Sequence, residues 1–152
     1  MINSLIFNNR ILIVFVYPFV LGVLTVFSFQ PFNYTFINFL ILPALFLITT
    51  FVNKKSKNIY RKKPYLTNLF FVGYFFGIGF FLTGTYWISY SLTFDESFKF
   101  LIPFTIVLLP LFLGLFFGIA TFIAGPLIKN NFISILIFCV SLSSMDYLRS
   151  KI

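Results

Sequence analysis

The run Gly73-Tyr74-Phe75-Phe76-Gly77-Ile78-Gly79-Phe80-Phe81-Leu82-Thr83-Gly84-Thr85-Tyr86-Trp87-Ile88-Ser89-Tyr90 decides the fold. It carries no charge and ends in a cluster of Tyr and Trp. An uncharged apolar stretch of about 20 residues is long enough to cross a hydrocarbon core as a helix. Amphipathic aromatic rings favour the membrane–water interface at the end of such a span.

The same character runs through the whole chain. Of its 152 residues, 60% are hydrophobic and 9% charged, against about 25% charged in a soluble domain. Mean hydropathy is +1.03. These values place the chain in the membrane class.

The order of apolar runs gives about five spans: 11–29, 33–52, 66–92, 100–125 and 131–149. The uncharged stretch Ile11 to Asn53 is roughly twice as long as a helix crossing a core of about 30 Å needs. It must turn, and Gln30-Pro31-Phe32-Asn33 is the place, because Pro31 has no N–H to continue a helical ladder. The fourth span closes at Gly125-Pro126, and the apolar run of the fifth ends at Asp146. The fold class expected is all-α, a polytopic transmembrane helix bundle forming one domain over residues 1–152.

The basic residues set the orientation. Six of the eleven lie between Lys54 and Lys63, a stretch read as a loop. A nucleic-acid patch is the alternative for such a run, but flanked by apolar spans it reads as a cytoplasmic anchor. Arg10 and Lys129 then face the cytoplasm as well. Lys99, Arg149, Lys151 and all three acids, Asp95, Glu96 and Asp146, face out. The N-terminus is thus expected inside and the C-terminus outside. The first apolar run is too long for a cleavable signal and reads as a retained span.

Two glycine trios repeat one spacing: Gly73, Gly77, Gly84 and Gly114, Gly118, Gly125. At 100° per residue each trio falls within about 40° of arc, which makes a small-residue stripe. Such stripes let helices approach closely in lipid. Either spans three and four pack on each other through them, or a Phe- and Gly-rich composition matches itself by chance. A second stripe, Gly79, Thr83, Tyr86 and Tyr90, reads as an outward polar groove or as interfacial belt and helix packing. Asp146 and Arg149 share a helix face at i, i+3. They form either a simple interfacial ion pair or part of an outer-face cluster with Tyr86 and Trp87.

There is no His, and the one Cys, Cys139, lies in an apolar run. An intramolecular disulfide, a Cys–His dyad and a Cys/His metal cluster are therefore excluded. No catalytic residue, cofactor-binding residue or metal ligand is assigned.

The order of features resembles the N-terminal membrane region of the apolipoprotein N-acyltransferase family. Ser28-Phe29-Gln30-Pro31-Phe32-Asn33, followed by Leu42-Pro43-Ala44, is similar to its aromatic-Pro-aromatic turn between spans one and two. The run from Gly73 to Ser89 resembles its Gly-x-x-x-Gly-x-Gly-Phe-Phe stretch leading to Tyr-Trp-Ile. Leu101-Ile102-Pro103 and Leu109-Pro110 match the next span. Asp146-Tyr147-Leu148-Arg149 resembles the acid-aromatic-Leu-Arg that ends the fifth, where the family usually has Glu in place of Asp.

The resemblance implies a multi-pass protein of the bacterial inner membrane whose partners are phospholipid and lipoprotein. It implies the membrane platform of an enzyme that moves a phospholipid acyl chain to the N-terminal amine of a diacylglyceryl-cysteine. In the family a periplasmic nitrilase-like domain supplies catalytic Glu, Lys and Cys, and none of these matches a position here. Cys139 has no base near it in sequence to activate its thiol. The expectation is a truncated or partial gene product, inactive alone. The alternative is a self-standing, non-catalytic membrane protein that binds lipid or a membrane partner.

Overall fold

The computed structural model describes residues 11–29, 32–59, 64–86, 92–94, 96–128 and 131–151. These form five main helices: α1 (Leu12–Ser28), α2 (Asn38–Ile59), α3 (Pro64–Gly84), α4 (Ile102–Leu127) and α5 (Phe132–Arg149). Short 3-10 turns precede α2 at Thr35–Ile37 and α4 at Glu96–Leu101. No strand occurs among the described residues. The helices containing α2, α3, α4 and α5 are long and apolar enough to cross a membrane, and α1 is a shorter apolar helix.

α1 is not uniform. Its first turn, Leu12–Val16, is a π-helix closed by Tyr17 N–H donating to Leu12 O. The irregular turn lies just before Pro18, which cannot donate to a normal ladder. The chain leaves α1 through extended Phe29. Tyr34 N–H then donates back to Phe27 O at 3.0 Å, and Asn33 N–H to Phe29 O at 2.9 Å. Asn33 takes φ 56°, a left-handed conformation that Asn tolerates better than most residues. Ser28 Oγ donates to Asn38 Oδ1 at 2.8 Å across the turn. The break thus falls where the sequence places it; Gln30 and Pro31 lie outside the described residues.

Two boundaries differ from the sequence reading. The basic stretch is not a loop from Lys54: α2 continues as helix through Ile59. Lys, Ser and Asn do not stop a helix, and neither Gly nor Pro intervenes before Pro64, which opens α3 at a position Pro favours. Residues 60–63 lie outside the described residues. Regular helix in α3 also ends at Gly84, short of the expected residue 92. Gly84 and Thr85 are weak helix formers, and the hydroxyls of Thr83 and Thr85 bond back to Gly79 O and Phe81 O at 2.8 and 2.6 Å.

α3 is the centre of the bundle. Val72 and Leu69 are fully buried and Phe76 is nearly so. α4 packs antiparallel along one side. There a Cβ on Gly73 would collide with Phe117 O and Thr121 Oγ1, and one on Gly77 would lie 2.8 Å from Gly114 Cα. α1 packs parallel along another side. A Cβ on Gly79 would strike Phe19 O, and one on Gly22 would strike Phe76 O and stand 2.8 Å from Phe80 N. Lipid tails are as apolar as Leu, so helices in a bilayer associate through such close backbone contact rather than through escape from water. α2 lies against α1 and α3, burying Ile41, Leu45 and Val52. α5 packs on α4 and meets α2 through the Phe46–Phe138 ring pair, with centroids 5.5 Å apart.

Several buried hydroxyls are satisfied within the bundle, as a hydrocarbon surround favours, whereas Asn53 Oδ1 and Arg149 Nε are buried with no hydrogen-bond partner among the described residues. Thr25 and Thr49 donate to carbonyls one turn back, both at 2.8 Å. Thr121 Oγ1 donates to Leu69 O at 2.8 Å and so ties α4 to α3.

A single methyl group tests this packing. Gly73→Ala and Gly77→Ala put a Cβ into backbone of α4 and are expected to cost about 1–3 kcal/mol, as overpacking does. Gly84→Ala meets only Val26 Cγ2 at 3.7 Å and gains about 1 kcal/mol of helix propensity at most. Thermal denaturation of the three variants in detergent should give two clear losses and one neutral or raised midpoint. Equal losses at all three would contradict the arrangement.

Candidate functional site

The end of the bundle that holds the C-terminus of α5 gathers the ionisable side chains singled out from the sequence. Arg149 Nη2 lies 2.7 Å from Asp146 Oδ1, one turn back on the same helix. The guanidinium also sits over the Phe81 ring of α3, 4.9 Å from its centroid. A cation over an aromatic face is held by the ring quadrupole, and more strongly when water is excluded. Arg149 is only 28% exposed and Asp146 is 54% exposed. Arg149 Nε is buried with no hydrogen-bond acceptor among the described residues.

Tyr86, a turn beyond Phe81, is 66% exposed. Trp87 and Tyr90 lie outside the described residues. The contact that joins α3 to Arg149 is made by Phe81, which the sequence reading did not single out. No spacing rule marks it, because one Phe among many in a uniformly apolar helix carries no signal of its partner.

Below the ion pair an apolar groove of about 350 Å³ runs between α2 and α5. Pro43 and Phe46 line one wall, Ile135, Cys139 and Leu142 the other, and Asp146 closes its end. From Ile135 to Asp146 the groove follows α5 for roughly 16 Å. Leu42, Ile135 and Cys139 on its rim are exposed, so it opens sideways. Its chemistry is that of a slot for a hydrocarbon chain with charge at one end. Among the described residues no group of three His, Cys, Asp or Glu gathers to hold a metal ion.

The glycines divide between two contacts. Gly73, Gly77 and Gly114 lie backbone to backbone between α3 and α4. Gly118 and Gly125 face side chains of α3, the Phe70 ring and Leu69. Gly84 faces α1 at Val26 and takes no part in the α4 contact. Gly79 and Thr83 do not form a polar groove. Gly79 is buried against the α1 backbone, and the Thr83 hydroxyl is occupied by Gly79 O. Gly22, outside both trios, makes one of the closest approaches in the molecule.

At the opposite end, Asn53 of α2 is 3% exposed. Its Nδ2 donates to Gly125 O at 2.6 Å and Ile128 O at 3.2 Å. Gly125 O also accepts from the Ile128 N–H at 3.2 Å, and Ile128, the residue that follows α4, presents a carbonyl at a helix end, where the ladder supplies no donor. One helix therefore caps another across 72 residues of sequence.

An apolar bundle whose helices bury backbone against backbone and expose hydrocarbon side chains all round is a multi-pass membrane domain. The sequence model of the apolipoprotein N-acyltransferase N-terminal domain matches residues 21–152, and the chain belongs to that family. Over 133 residues it is 30% identical to apolipoprotein N-acyltransferase of Rhodopseudomonas palustris, which covers 86% of this chain and 24% of that protein. It is 34% identical over 140 residues to the Rickettsia typhi protein of the same name, covering 88% and 25%. For the Brucella melitensis protein the figures are 35% over 82 residues, 53% and 15%. Where the match takes in most of this chain, it spans about a quarter of the relative's length. No solved structure matches the chain.

The Asp146–Arg149 pair spans one helical turn at a partly exposed site, so its own contribution is small, about 0.2–1 kcal/mol. Asp146→Asn is expected to lower stability by no more than that. Arg149→Ala also removes the guanidinium from the Phe81 ring and should cost more. A double-mutant cycle with Phe81→Leu should give a coupling of about 0.5–2 kcal/mol. Zero coupling between Arg149 and Phe81 would remove the α3–α5 link.

Proposed function

We propose that this chain is the membrane platform of a lipoprotein N-acyltransferase, the enzyme that moves a phospholipid acyl chain to the N-terminal amine of a diacylglyceryl-cysteine lipoprotein. The observation that carries the reading is the match of residues 21–152 to the N-terminal domain of that family. The groove between α2 and α5 supports it, because it admits an acyl chain from the side and leads it to the Asp146–Arg149 pair. Tyr86 and Trp87 join that pair in an outer-face cluster under this reading. On this reading the platform positions lipid, and Cys139 serves as part of the groove wall rather than as a nucleophile.

The protein belongs, on the same reading, to the bacterial inner membrane as a single helical domain. Contacts within the bundle are consistent with alternating passage. Leu69 of α3 meets Gly125 of α4 at the end where Asn53 lies. The basic run follows that end of α2, so Lys/Arg bias directs it to the cytoplasm. Asp146 and Arg149 then face the periplasm. Reporter fusions after Lys57 and after Lys151 should report cytoplasm and periplasm respectively. The reverse assignment at either position would overturn the orientation.

The function is tested by exchange. Residues 21–152 replace the matching region of the Rickettsia typhi relative, and the chimera is expressed in cells depleted of their own N-acyltransferase. The expected result is N-acylated lipoprotein detected by mass spectrometry. Cys139→Ser, a near-isosteric change in the groove wall, should retain acylation because the thiol is not the nucleophile, whereas Gly77→Leu should abolish it by parting α3 from α4. A chimera that inserts normally but acylates nothing would refute the reading.

A further inference from the structure

A second groove lies on the other face of α2, between α2 and α1, with a volume of about 610 Å³. Ile13, Val20 and Leu21 form one wall, and Ala44 and Leu47 face them from α2. Lys54 stands at its end. The Thr50 hydroxyl in the wall is already bonded to Phe46 O at 2.9 Å, so it offers a ligand no free donor. Val20 and Leu47 on the rim are 45% and 65% exposed.

Length and charge together define what fits. Ala44 to Lys54 spans about 15 Å along the helix, which is about half of a hydrocarbon core of roughly 30 Å. The groove therefore accompanies one leaflet only, the one whose headgroups lie at Lys54. Beyond Lys54 the chain continues into Lys55, Lys57, Arg61, Lys62 and Lys63. None of the three acids of the sequence lies on α1, on α2 or in this run. An apolar slot one leaflet long that ends in uncompensated positive charge is complementary to a lipid with an anionic headgroup. Basic residues near a membrane surface each contribute about 1 kcal/mol towards anionic lipid.

We propose that the groove between α1 and α2 retains one anionic phospholipid of the leaflet at the basic end of the bundle, its acyl chain along Ile13 to Ala44 and its phosphate at Lys54. The proposal requires membrane insertion and does not depend on the acyl-transfer reading. That reading concerns the groove between α2 and α5 and the opposite leaflet. The retained lipid would fill the gap between two helices whose walls leave space there, and so fix α1 against α2.

The full chain is reconstituted in bilayers of equal phosphatidylglycerol and phosphatidylcholine and released for native mass spectrometry. The expected spectrum shows a monomer with one phosphatidylglycerol retained in preference to phosphatidylcholine. Lys54→Gln should lower retained phosphatidylglycerol by about fivefold, whereas Lys151→Gln at the other end should leave it unchanged. Ala44→Phe fills the slot and should abolish retention with the charge intact; Val20→Trp, from the exposed rim, makes the same test if Ala44→Phe expresses poorly. Equal retention of both lipids would overturn the proposal. So would retention unaffected by Lys54→Gln and by the filled slot, a bare chain, or a dimer that covers the groove.

Discussion

Close approach of α3 to two neighbouring backbones is the constraint on which the bundle depends. Gly73 and Gly77 let in α4, and Gly79 on another face lets in α1, which answers with Gly22. In water, apolar side chains would drive these helices together whatever their shape. In lipid that force is absent, and what remains is dispersion summed over well-matched surfaces. A side chain at any of these positions would push two helices apart along their length. The outer helices can be loosely covered, as the largely exposed α5 shows, because the central contact does not need them.

Polar atoms add fixed points to this packing. Most hydroxyls in the helices bond back to their own ladder and hold nothing else. Ser28, Thr121 and Asn53 are different because their bonds cross between helices. Arg149 does the same at the other end through the Phe81 ring. The ends are thus pinned by directional contacts while the middle is held by shape, and the two grooves beside α2 open where neither applies.

Much of this was legible in the sequence, and the limits have a physical cause. The order of apolar helices follows from run length, with four of the five long and apolar enough to cross a membrane, and the first turn follows from Pro31 and Asn33. The Gly73/Gly77 and Gly114/Gly118 spacings give a stripe on each of the two helices that meet. What sequence does not give is direction. A soluble helix declares its buried face by contrast with a polar one, whereas α3 is apolar all round. Gly84 was therefore grouped with α4 when it faces Val26, and Gly79 with a polar stripe when it is buried on α1. Phe81 and Asn53 went unmarked because their partners lie far away in sequence. The basic run reads as a loop in the sequence, yet charge marks the end of the membrane span and not of the helix, and α2 leaves the apolar stretch as helix through Ile59.

The cap that Asn53 places on α4 bears on the order of biosynthesis. When α2 emerges from the ribosome, Gly125 and Ile128 have not been made, since 72 residues separate Asn53 from the first of its acceptors. A buried amide without partners costs about 1–3 kcal/mol, so full burial of Asn53 is disfavoured by about that amount until α4 is made. Its neighbour Lys54 keeps the amide close to the aqueous boundary in the interval. One amide thus couples the burial of an early helix to the synthesis of a late one.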